Sequence, residues 1–370
     1  MRILQVFRAP VGGLFRHVRD LARGQSQRGH DVAMLCDSEG GGDMARQLLS
    51  DSEKYCRLGI RRKPISRMPG VGDAAGIRHT LAMARDIRAD VIHGHGAKGG
   101  LYARLAGKRL GIASLYTPHG GSLYYDWSSR AGKMFLSTEW ALARIVDAQS
   151  FVCAFERNRF MDLLGHPKSR NIIAYNGLWG EEFETLVPDA NAADVVLMGD
   201  MRPVKGVDIL LEALALLNSR QRVSAHIVGD GPDMASFQAL ATRLNLDGQV
   251  KFLGRLPTKE ALRKGRLLVM PSRHESFPYT VLEALAGQVP IITSRVGGIG
   301  EALPDHLMLK QLDPPTLADK IHERLAPGAH AAEEAVTLRE MAKKRFSAER
   351  MTDDILAFYG DLLTPTARQA

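Results

Sequence analysis

The sequence predicts an α/β fold built from two doubly wound parallel sheets. Three observations point to it: short apolar runs recur along the chain, helical patterns separate many of them, and one polar stretch divides the runs into two blocks. Runs without polar alternation are typical of strands buried on both faces of a parallel sheet. A chain of 370 residues is also too long for one ordinary core, which favours two domains.

Six apolar runs in the first block are interpreted as strands. They are residues 2–7, 31–36, 89–96, 113–120, 150–155 and 171–177. After the first run, Val18, Leu21 and Ala22 recur at helical spacing, and Gly29 suits the C-terminal cap of that helix. Repeated strand–helix units of this kind predict a parallel sheet with helices on its faces.

The second block begins after the polar stretch ETLVPDANAAD, which places a domain boundary near residue 188. Its strand candidates are DVVLMGD, SAHIVGDG, QVKFLGR, RLLVMPS, PIITSR and HLMLK. The final stretch, SAERMTDDILAFYGDLL, has the pattern of one amphipathic helix that follows the completed second sheet.

Composition excludes several classes of protein. Apolar residues make up 45% of the chain and charged residues 24%, which is typical of a globular protein with a core. No apolar run reaches the roughly 18 residues that span a bilayer. The N-terminal run lacks the apolar stretch and cleavage site of a signal peptide, so a cytoplasmic protein is expected. Cys36, Cys56 and Cys153 fit neither a disulfide framework nor a metal pattern.

The formal net charge of +8 resides in the first half of the chain. A basic excess fits nucleic acid, an anionic membrane surface or an acidic substrate. No nucleic-acid-binding motif accompanies it and aromatic residues are only 6%, so nucleic acid is not expected as a partner. The basic segment, residues 56–67, is read either as a solvated loop or as a loop that approaches anionic lipid head groups. Its cations are Arg57, Arg61, Arg62, Lys63 and Arg67.

Charged residues collect where predicted strands of the second block end. Ligands of open parallel sheets bind beyond these ends, where helix N-termini offer free amides. Arg202 and Lys205 follow the first strand, and such cations favour phosphate. Glu275 lies in a later loop, and Glu283 lies in a helix predicted to begin at Pro278. Because carboxylates accept hydrogen bonds from hydroxyls, this combination predicts a site for a nucleotide sugar.

Histidines mark two strand ends of the first block. His93 and His95 have the spacing of metal ligands on one strand face, but no clear third ligand accompanies them. A packing or hydrogen-bonding role is therefore favoured for both, and no metal site is predicted. The Pro-His-Gly context of His119 favours a functional role for that residue.

The chain resembles glycosyltransferase family 4, retaining enzymes with the GT-B fold, of the bacterial surface-polysaccharide type. The motifs that carry the resemblance are GG (12–13), DVIHGH (90–95), TPHG (117–120), NG (176–177), RPVKG (202–206), GDGPD (229–233), the two-glutamate motif (275–283) and GGIGE (297–301). The resemblance implies two Rossmann-like domains facing a central cleft. Residues 1–183, joined by the helix 348–364, form the acceptor side, and residues 190–347 bind the donor.

The resemblance also implies roles. Arg202 and Lys205 bind the donor diphosphate, Glu283 binds ribose hydroxyls, and Glu275 contacts the transferred sugar. His119 lies beside the reacting sugar. The expected catalytic residues are His119, Arg202, Lys205 and Glu275, and the expected donor-binding residues are Gly12, Gly13, Gly231, Arg202, Lys205, Glu275, Ser276, Phe277 and Glu283.

The chain departs from the family pattern at three positions. Pro278 stands where glycine is common, and proline cannot donate a backbone hydrogen bond to a sugar hydroxyl. Tyr279 replaces an aliphatic residue, and Gly300 stands where proline is frequent. These departures are expected to affect the identity of the donor more than the fold.

The expected function is transfer of a sugar from a UDP- or GDP-linked donor to a saccharide or lipid-linked acceptor in surface polysaccharide or lipopolysaccharide biosynthesis. Neither a metal nor another cofactor is expected, because two cations serve the leaving group. The expected location is the cytoplasm, peripherally on the inner face of the cytoplasmic membrane. Two alternatives stay open: a GT-B-fold nucleotide-sugar epimerase, which needs no second substrate, and a non-catalytic nucleotide-sugar-binding protein.

Overall fold

The computed structural model describes residues 1–166, 169–326 and 331–364. The chain divides into two compact units, the first comprising Met1–Asn176 with the described chain from Ala348 onward, and the second comprising Gly177–Ser347. Each unit contains its own parallel sheet, with helices along the chain between most of its strands. The predicted fold class, α/β with two doubly wound sheets, is confirmed.

The first unit contains a sheet of seven parallel strands. They are β1 (Arg2–Val6), β2 (Asp31–Asp37), β3 (Ile60–Lys63), β4 (Val91–His95), β5 (Ala113–Thr117), β6 (Ala148–Phe151) and β7 (Arg170–Ile173). Their order across the sheet is β3-β2-β1-β4-β5-β6-β7. Each of the six predicted runs contains or overlaps a strand.

The strand β3 corrects the prediction that the basic segment is a loop. It lies at the edge of the sheet and pairs only with β2. Half-buried Ile60 and Arg62 alternate with exposed Arg61 and Lys63. An edge strand needs no apolar run on both faces, and cations protect its open side from further pairing. For this reason the apolar pattern that identified the other strands is missing here.

Six helices of the first unit lie between its strands. They are α1 (Gly12–Gln27), α2 (Gly42–Ser52), α3 (Gly72–Asp86), α4 (Gly96–Leu110), α5 (Arg130–Leu142) and α6 (Ala154–Leu164), with 3-10 turns at Glu53–Tyr55 and Gly121–Tyr124. After the C-cap residue Arg28, Gly29 takes a left-handed φ of 78°. This is the C-terminal geometry for which glycine is favoured, as predicted.

The second unit contains a sheet of six parallel strands. They are β8 (Ala193–Met198), β9 (Ala225–Val228), β10 (Val250–Phe252), β11 (Gly265–Met270), β12 (Ile291–Ser294) and β13 (Met308–Leu309). Their order is β10-β9-β8-β11-β12-β13, so β8 has β9 on one side and β11 on the other. All six predicted strands of this block are confirmed. The strand order reverses at β8, which makes its carboxyl end a topological switch point.

Seven helices follow in the chain. They are α7 (Val207–Leu217), α8 (Met234–Arg243), α9 (Thr258–Arg263), α10 (Tyr279–Ala286), α11 (Pro314–Leu325), α12 (Ala331–Arg345) and α13 (Ala348–Leu363), with 3-10 turns at Gly180–Glu182, Pro203–Lys205, Ile299–Glu301 and Asp305–Leu307. None of the helices in the described ranges has the length and apolar character needed to cross a bilayer.

The helix α13 belongs to the core of the first unit although it ends the described chain. Its buried side chains join Ile3, Val91 and Leu115 in one apolar cluster. Those side chains are Met351, Ile355, Phe358, Tyr359 and Leu362. A Cβ at Gly24 of α1 would collide with the Thr352 side chain, so glycine allows α1 and α13 to pack closely.

Candidate functional site

Loops after four strands of the second unit meet at the carboxyl edge of its sheet. A Cβ at Gly206, after β8, would collide with the backbone oxygen of Pro271, after β11. A Cβ at Gly297, after β12, would collide with the backbone oxygen of Glu275. Glycine at both positions therefore lets the loops after β8 and β12 lie directly against the loop that carries Glu275. This edge is where ligands of open α/β sheets bind.

Gly231 joins the loop after β9 to the same edge. A Cβ at Gly231 would collide with the backbone of Met201, which follows β8. Met201 N donates to Asp230 O at 3.1 Å, and Asp233 N donates to Met201 O at 3.1 Å. The two loops are therefore connected backbone to backbone, and Gly231 fills a place that no side chain can take.

Lys205 and Glu275 form one ion pair. Lys205 Nζ lies 2.7 Å from Glu275 Oε1, and Ser272 Oγ donates to the same carboxylate oxygen at 2.8 Å. Ser294 Oγ in turn donates to Ser272 O at 2.5 Å. The Glu275 side chain is 10% exposed and that of Lys205 is 25% exposed. A phosphate that approaches Lys205 must therefore share this cation with Glu275.

Arg202 lies beside this pair along the chain, just before the 3-10 turn Pro203–Lys205. Its side chain is exposed, and among the residues that the structure describes no hydrogen bond or ion pair engages its guanidinium. The backbone here is fixed by Lys205 N, which donates to Arg202 O at 3.0 Å. Arg202 is thus available to an anion, whereas Lys205 is already paired.

Arg273 is a residue whose role sequence reasoning missed. Its backbone N donates to Val204 O at 2.7 Å, and its guanidinium forms a bidentate pair with Asp208 at 2.9 and 2.7 Å. Burial raises the pKa of Asp208, but the hydrogen bonds and charge of Arg273 outweigh it and hold that pKa below its usual value. Arg273 therefore fastens the loop of Glu275 to the loop of Lys205.

The helix α10 follows this loop. Pro278 is its N-cap residue, with extended dihedral angles of −75° and 130°, and not the first helical residue that was predicted. Glu283 lies half-buried in the second turn of α10. The Phe277 ring is 4% exposed and packs on Phe346 with ring centroids 5.3 Å apart. Phe277 can therefore offer a ligand only its backbone.

The start of α1 in the first unit contains the predicted glycine pair. Gly12 has a left-handed φ of 71°, and a Cβ there would meet no atom within 4 Å. The backbone conformation, and not lack of space, favours glycine at this position. The N-cap residue Val11 makes no side-chain capping hydrogen bond, and Gly12 and Gly13 are exposed. Helix N-termini of this kind attract anions.

Four histidines of the first unit form a cluster. The rings of His93 and His95 are tilted by 36° with centroids 3.9 Å apart, and His95 Nδ1 lies 3.1 Å from His119 Nε2. The rings of His17 and His119 meet edge to face at 4.7 Å. His93 contacts Tyr359 Oη at 2.7 Å, so it has the hydrogen-bonding role that was favoured. His17, on α1, was missed.

The hydrogen bonds of the cluster indicate the tautomers of His95 and His119. Gln5 Nε2 donates to Gln25 Oε1 at 3.0 Å, which directs Gln5 Oε1 toward His95. His95 Nε2 donates to that oxygen at 2.7 Å. A neutral His95 then has a bare Nδ1, which accepts the hydrogen bond from His119 Nε2. His119 Nδ1 is left as an acceptor.

Burial keeps these rings neutral. Desolvation lowers the pKa of His17 to about 4, against a weaker opposing effect of its hydrogen bond to Asn176. Desolvation and neighbouring histidines lower the pKa values of His93, His95 and His119 well below the usual value. Ring nitrogens of His17, His95 and His119 lie within 4.8 Å of one another, so these three residues could hold a metal ion.

Glu156 fixes the loop that carries His119. His119 and Gly120 both have left-handed φ values, 55° and 77°. For a residue other than glycine this conformation is uncommon and costs free energy. Glu156 accepts hydrogen bonds from Gly120 N and, at 3.0 Å, from Val152 N. A buried carboxylate thus holds the loop in its strained conformation; nothing in the sequence pattern indicated this role.

Two family models match the chain. "Glycosyltransferase Family 4" matches residues 11–178, and "Glycosyl transferases group 1" matches residues 192–326. An uncharacterized glycosyltransferase of Methanocaldococcus jannaschii is 28% identical over 285 residues, which cover 74% of this chain and 76% of that protein. A human subunit of phosphatidylinositol N-acetylglucosaminyltransferase is 24% identical over 315 residues, 81% of this chain and 62% of that protein.

A solved structure shows the same fold. HepE of Anabaena, crystallised with UDP and glucose, superposes with a TM-score of 0.84 at 19% sequence identity. The superposition covers 98% of this chain and 100% of that one. The two parallel sheets are therefore those of the GT-B fold, and the two matched families extend over most of both units. The chain belongs to the group 1 and family 4 glycosyltransferases.

Proposed function

We propose that the protein is a retaining, metal-independent glycosyltransferase that takes a hexose-type sugar from a UDP- or GDP-linked donor. The observation that carries this proposal is the half-buried pair of Lys205 with Glu275 beside the exposed Arg202. Two cations suit a diphosphate, and a carboxylate suits sugar hydroxyls. The UDP bound in the HepE crystal supports a uridine carrier.

Each group at this sheet edge has a part in the proposal. Arg202 and Lys205 neutralise the charge that develops on the leaving diphosphate, which is electrostatic stabilisation of the transition state. Glu283 binds ribose and Glu275 binds hydroxyls of the transferred sugar, aided by the backbone at Ser276 and Phe277. The turn at Gly231 borders the base. In the first unit, the resemblance to family 4 supports a role in donor binding for the amides after Gly12 and Gly13 and a catalytic role for the His119 side chain.

No metal is part of this mechanism. A divalent cation in other transferases of phosphate-linked groups neutralises charge on phosphate oxygens. Arg202 and Lys205 supply two fixed positive charges for the same purpose. Retention of configuration is a further part of the proposal, and it rests on the resemblance to family 4.

The acceptor is proposed to be a saccharide or a lipid-linked molecule of surface polysaccharide or lipopolysaccharide biosynthesis, met at the inner face of the cytoplasmic membrane. The human relative, whose name contains phosphatidylinositol, supports an acceptor that carries a lipid. In this proposal residues 1–183 with helix 348–364 serve the acceptor, and residues 190–347 bind the donor.

Product analysis with labelled donors tests the proposal. A thermal-shift screen with UDP, GDP and their sugars first selects the donor, and the protein is then incubated with it in the presence and absence of EDTA. Transfer or slow release of the sugar with its anomeric configuration retained, measured by NMR and unchanged by EDTA, is the expected result. Formation of an epimer would indicate an epimerase. Nucleotide-sugar binding without any product would indicate a non-catalytic binding protein.

A further inference from the structure

Exposed large apolar side chains concentrate in one part of the first unit. We call residues 124–144 the aromatic segment; it runs from the 3-10 turn after His119 through α5. Its exposed apolar side chains, each between 38% and 45% accessible, are Tyr124, Tyr125, Trp127, Met134 and Trp140. The segment thus contains two of the three tryptophans of the chain. Concentrated apolar exposure of this kind indicates an interaction surface.

The solvent-facing side of the aromatic segment is cationic. Arg130, Lys133 and Arg144 are exposed on or just after α5. The acidic residue of α5, Glu139, is buried and pairs with Arg104 at 2.8 Å. The exposed Asp126 is paired with Arg159 at 2.5 Å. Within the described part of the chain, Arg130, Lys133 and Arg144 form no ion pair, so their positive charge lies beside the exposed rings of this segment.

Both tryptophans have their positions fixed by contacts within the unit. Trp127 Nε1 donates to Leu163 O at 2.9 Å, and the Arg144 guanidinium lies 3.1 Å from the centre of the Trp140 ring. Lys133 and Trp140 lie two turns apart on one side of α5, and Arg144 lies in the turn after the helix, where its guanidinium donates to Trp140 O at 2.7 Å. The apolar ring surfaces thus face solvent in fixed positions next to cations. Tryptophan and tyrosine with neighbouring Lys and Arg are typical of the interfacial layer of membranes.

The basic segment, where the sequence placed a membrane contact, lacks this arrangement. Arg57 pairs with Asp31 at 3.2 Å and Arg61 pairs with Asp86 at 2.7 Å. Arg62 donates to the backbone oxygens of residues 37 and 38 at 3.1 and 2.8 Å. These three cations therefore have partners within the protein, whereas Lys63 and Arg67 are exposed. Aromatic residues are also missing from the strand β3 itself.

We propose that the aromatic segment docks on an anionic lipid surface, with its rings in the head-group layer and Arg130, Lys133 and Arg144 against lipid phosphates. This inference rests on the proposed function for its purpose, because it names the surface through which a lipid-linked acceptor is reached. Lipid binding itself requires neither donor nor turnover, so it is measured separately.

Co-sedimentation of the full chain with lipid vesicles tests the proposal. Phosphatidylcholine vesicles are compared with vesicles that also contain phosphatidylglycerol, at low and at high salt and without nucleotide. The aromatic variant is Tyr124→Ser with Trp140→Ser, and the charge variant is Arg130→Ser with Lys133→Ser. The matched control changes Arg61, Arg62 and Lys63 of the basic segment to serine, and a second control changes the exposed Leu216 and Val336 to serine.

Wild type is expected to bind the anionic vesicles and to lose binding as salt rises. The aromatic and charge variants are each expected to lower the partition coefficient by roughly tenfold, and both controls by less than about twofold. Equal thermal unfolding and equal UDP binding of all variants show that the fold is intact. Vesicles with brominated acyl chains are expected to quench the wild-type tryptophans and to quench the Trp140→Ser protein less.

Three results would overturn the proposal. The first is a wild-type protein that ignores both kinds of vesicle, and the second is loss of binding in the basic-segment control alone. The third is an aromatic variant that binds vesicles like wild type but no longer transfers sugar to a soluble acceptor, because the segment would then be a surface for the acceptor. Vesicle binding without any transferase activity would leave this inference standing and refute the proposed function.

Discussion

The two polar clusters of this protein differ in burial and in charge. In the first unit, the rings of His17, His93 and His95 are buried, that of His119 is half-buried, and all four are neutral. His95 bonds to His119 and to Gln5, while His93 and His17 bond to threonine, tyrosine and asparagine side chains. In the second unit, Lys205 and Glu275 are charged, partly exposed and joined to each other, with Arg202 open to solvent. Both clusters lie at or beyond the carboxyl ends of parallel strands.

The difference shows how burial decides what a polar cluster can do. Desolvation penalises the charged form, so a fully buried histidine stays neutral and can only position, donate or accept. A partly hydrated ion pair keeps its charges and can exchange one partner for an incoming anion. We therefore expect the second cluster to act on the charge of the donor and the first to hold geometry. Four changes test this distinction.

Of the four changes, loss of a cation from the second cluster should lower turnover most. Lys205→Ala and Arg202→Ala should each lower turnover by about 10²–10³-fold, the scale for one preorganised charge-stabilising group. Initial rates with the selected donor measure this. Arg220→Ala is the matched control, because Arg220 makes an exposed pair with Asp319 in the same unit. A comparable loss in that control would show that net charge, and not the position of the cation, matters.

Acid should destabilise the protein through the first cluster. Folding lowers the pKa of His17 from about 6.5 to about 4, so between these values the unfolded chain binds a proton that the folded chain does not. The free energy of unfolding should therefore be unaffected by His17 above pH 6.5 and fall as the pH drops toward 4. At 1.36 kcal/mol per pKa unit the loss is about 3 kcal/mol.

Urea unfolding at a series of pH values measures this loss. His17→Asn removes one titrating ring, so its stability should decline less steeply than that of wild type between pH 6.5 and pH 4. Parallel curves for the two proteins would mean that His17 is already protonated in the fold or that other groups dominate.

Substitution of the two glutamates should distinguish contacts to the nucleotide from contacts to the transferred sugar. Glu283→Ala should weaken UDP binding by about 10- to 100-fold, the range for a lost hydrogen bond to a charged group. Glu275→Ala should leave UDP affinity unchanged or raise it, because Lys205 loses its carboxylate partner and is free for phosphate. Turnover should still fall in Glu275→Ala. Calorimetry with UDP measures both affinities, and equal losses would contradict the assignment.

Of the four changes, replacement of His95 should have the smallest effect on turnover, but two different replacements should differ clearly from each other. Asparagine places its Oδ1 near the position of Nδ1 and keeps an acceptor for His119, whereas glutamine places its amide near Nε2 and keeps only the bond to Gln5. His95→Gln should therefore turn over about tenfold more slowly than His95→Asn, with unchanged UDP affinity. Nitrogen NMR shifts of His119 should show a protonated Nε2 in wild type. A bare Nε2, or equal rates in both variants, would refute the positioning role.

Much of the fold was readable from the sequence because buried parallel strands carry a strong signal. Runs such as those that became β4 and β11 lie between helical patterns, and the structure buries every residue of these two strands except Arg266. The strand β3 has two cations facing solvent and another half-buried at a sheet edge, so nothing in its composition distinguishes it from a loop. The pairing of β3 with β2 is a tertiary contact that no local sequence pattern indicates.

The sequence predicted which residues form the candidate site, but it did not predict the contacts between them. Strand ends and motif order located Arg202, Lys205, Glu275 and Glu283, because the carboxyl edge of a sheet is fixed by topology. The direct bond between Lys205 and Glu275 depends on loop paths that glycine positions determine, and no residue spacing encodes it. His17 had a weak signal: it lies one residue before Val18 on α1, beside its apolar stripe.

The position of α13 in the chain affects the order in which the two units can fold during synthesis. The first unit needs this helix to complete its core, yet residues 177–347 of the second unit are synthesised in between. During synthesis the second unit can therefore fold before α13 exists. The apolar side chains of Ile3, Val91 and Leu115 then remain uncovered until α13 packs on them. The hydrogen bond between Tyr359 and His93 can form only after α13 has packed, so the histidine cluster also depends on that helix. Until α13 has been synthesised, this exposed apolar surface is a site at which the chain can aggregate.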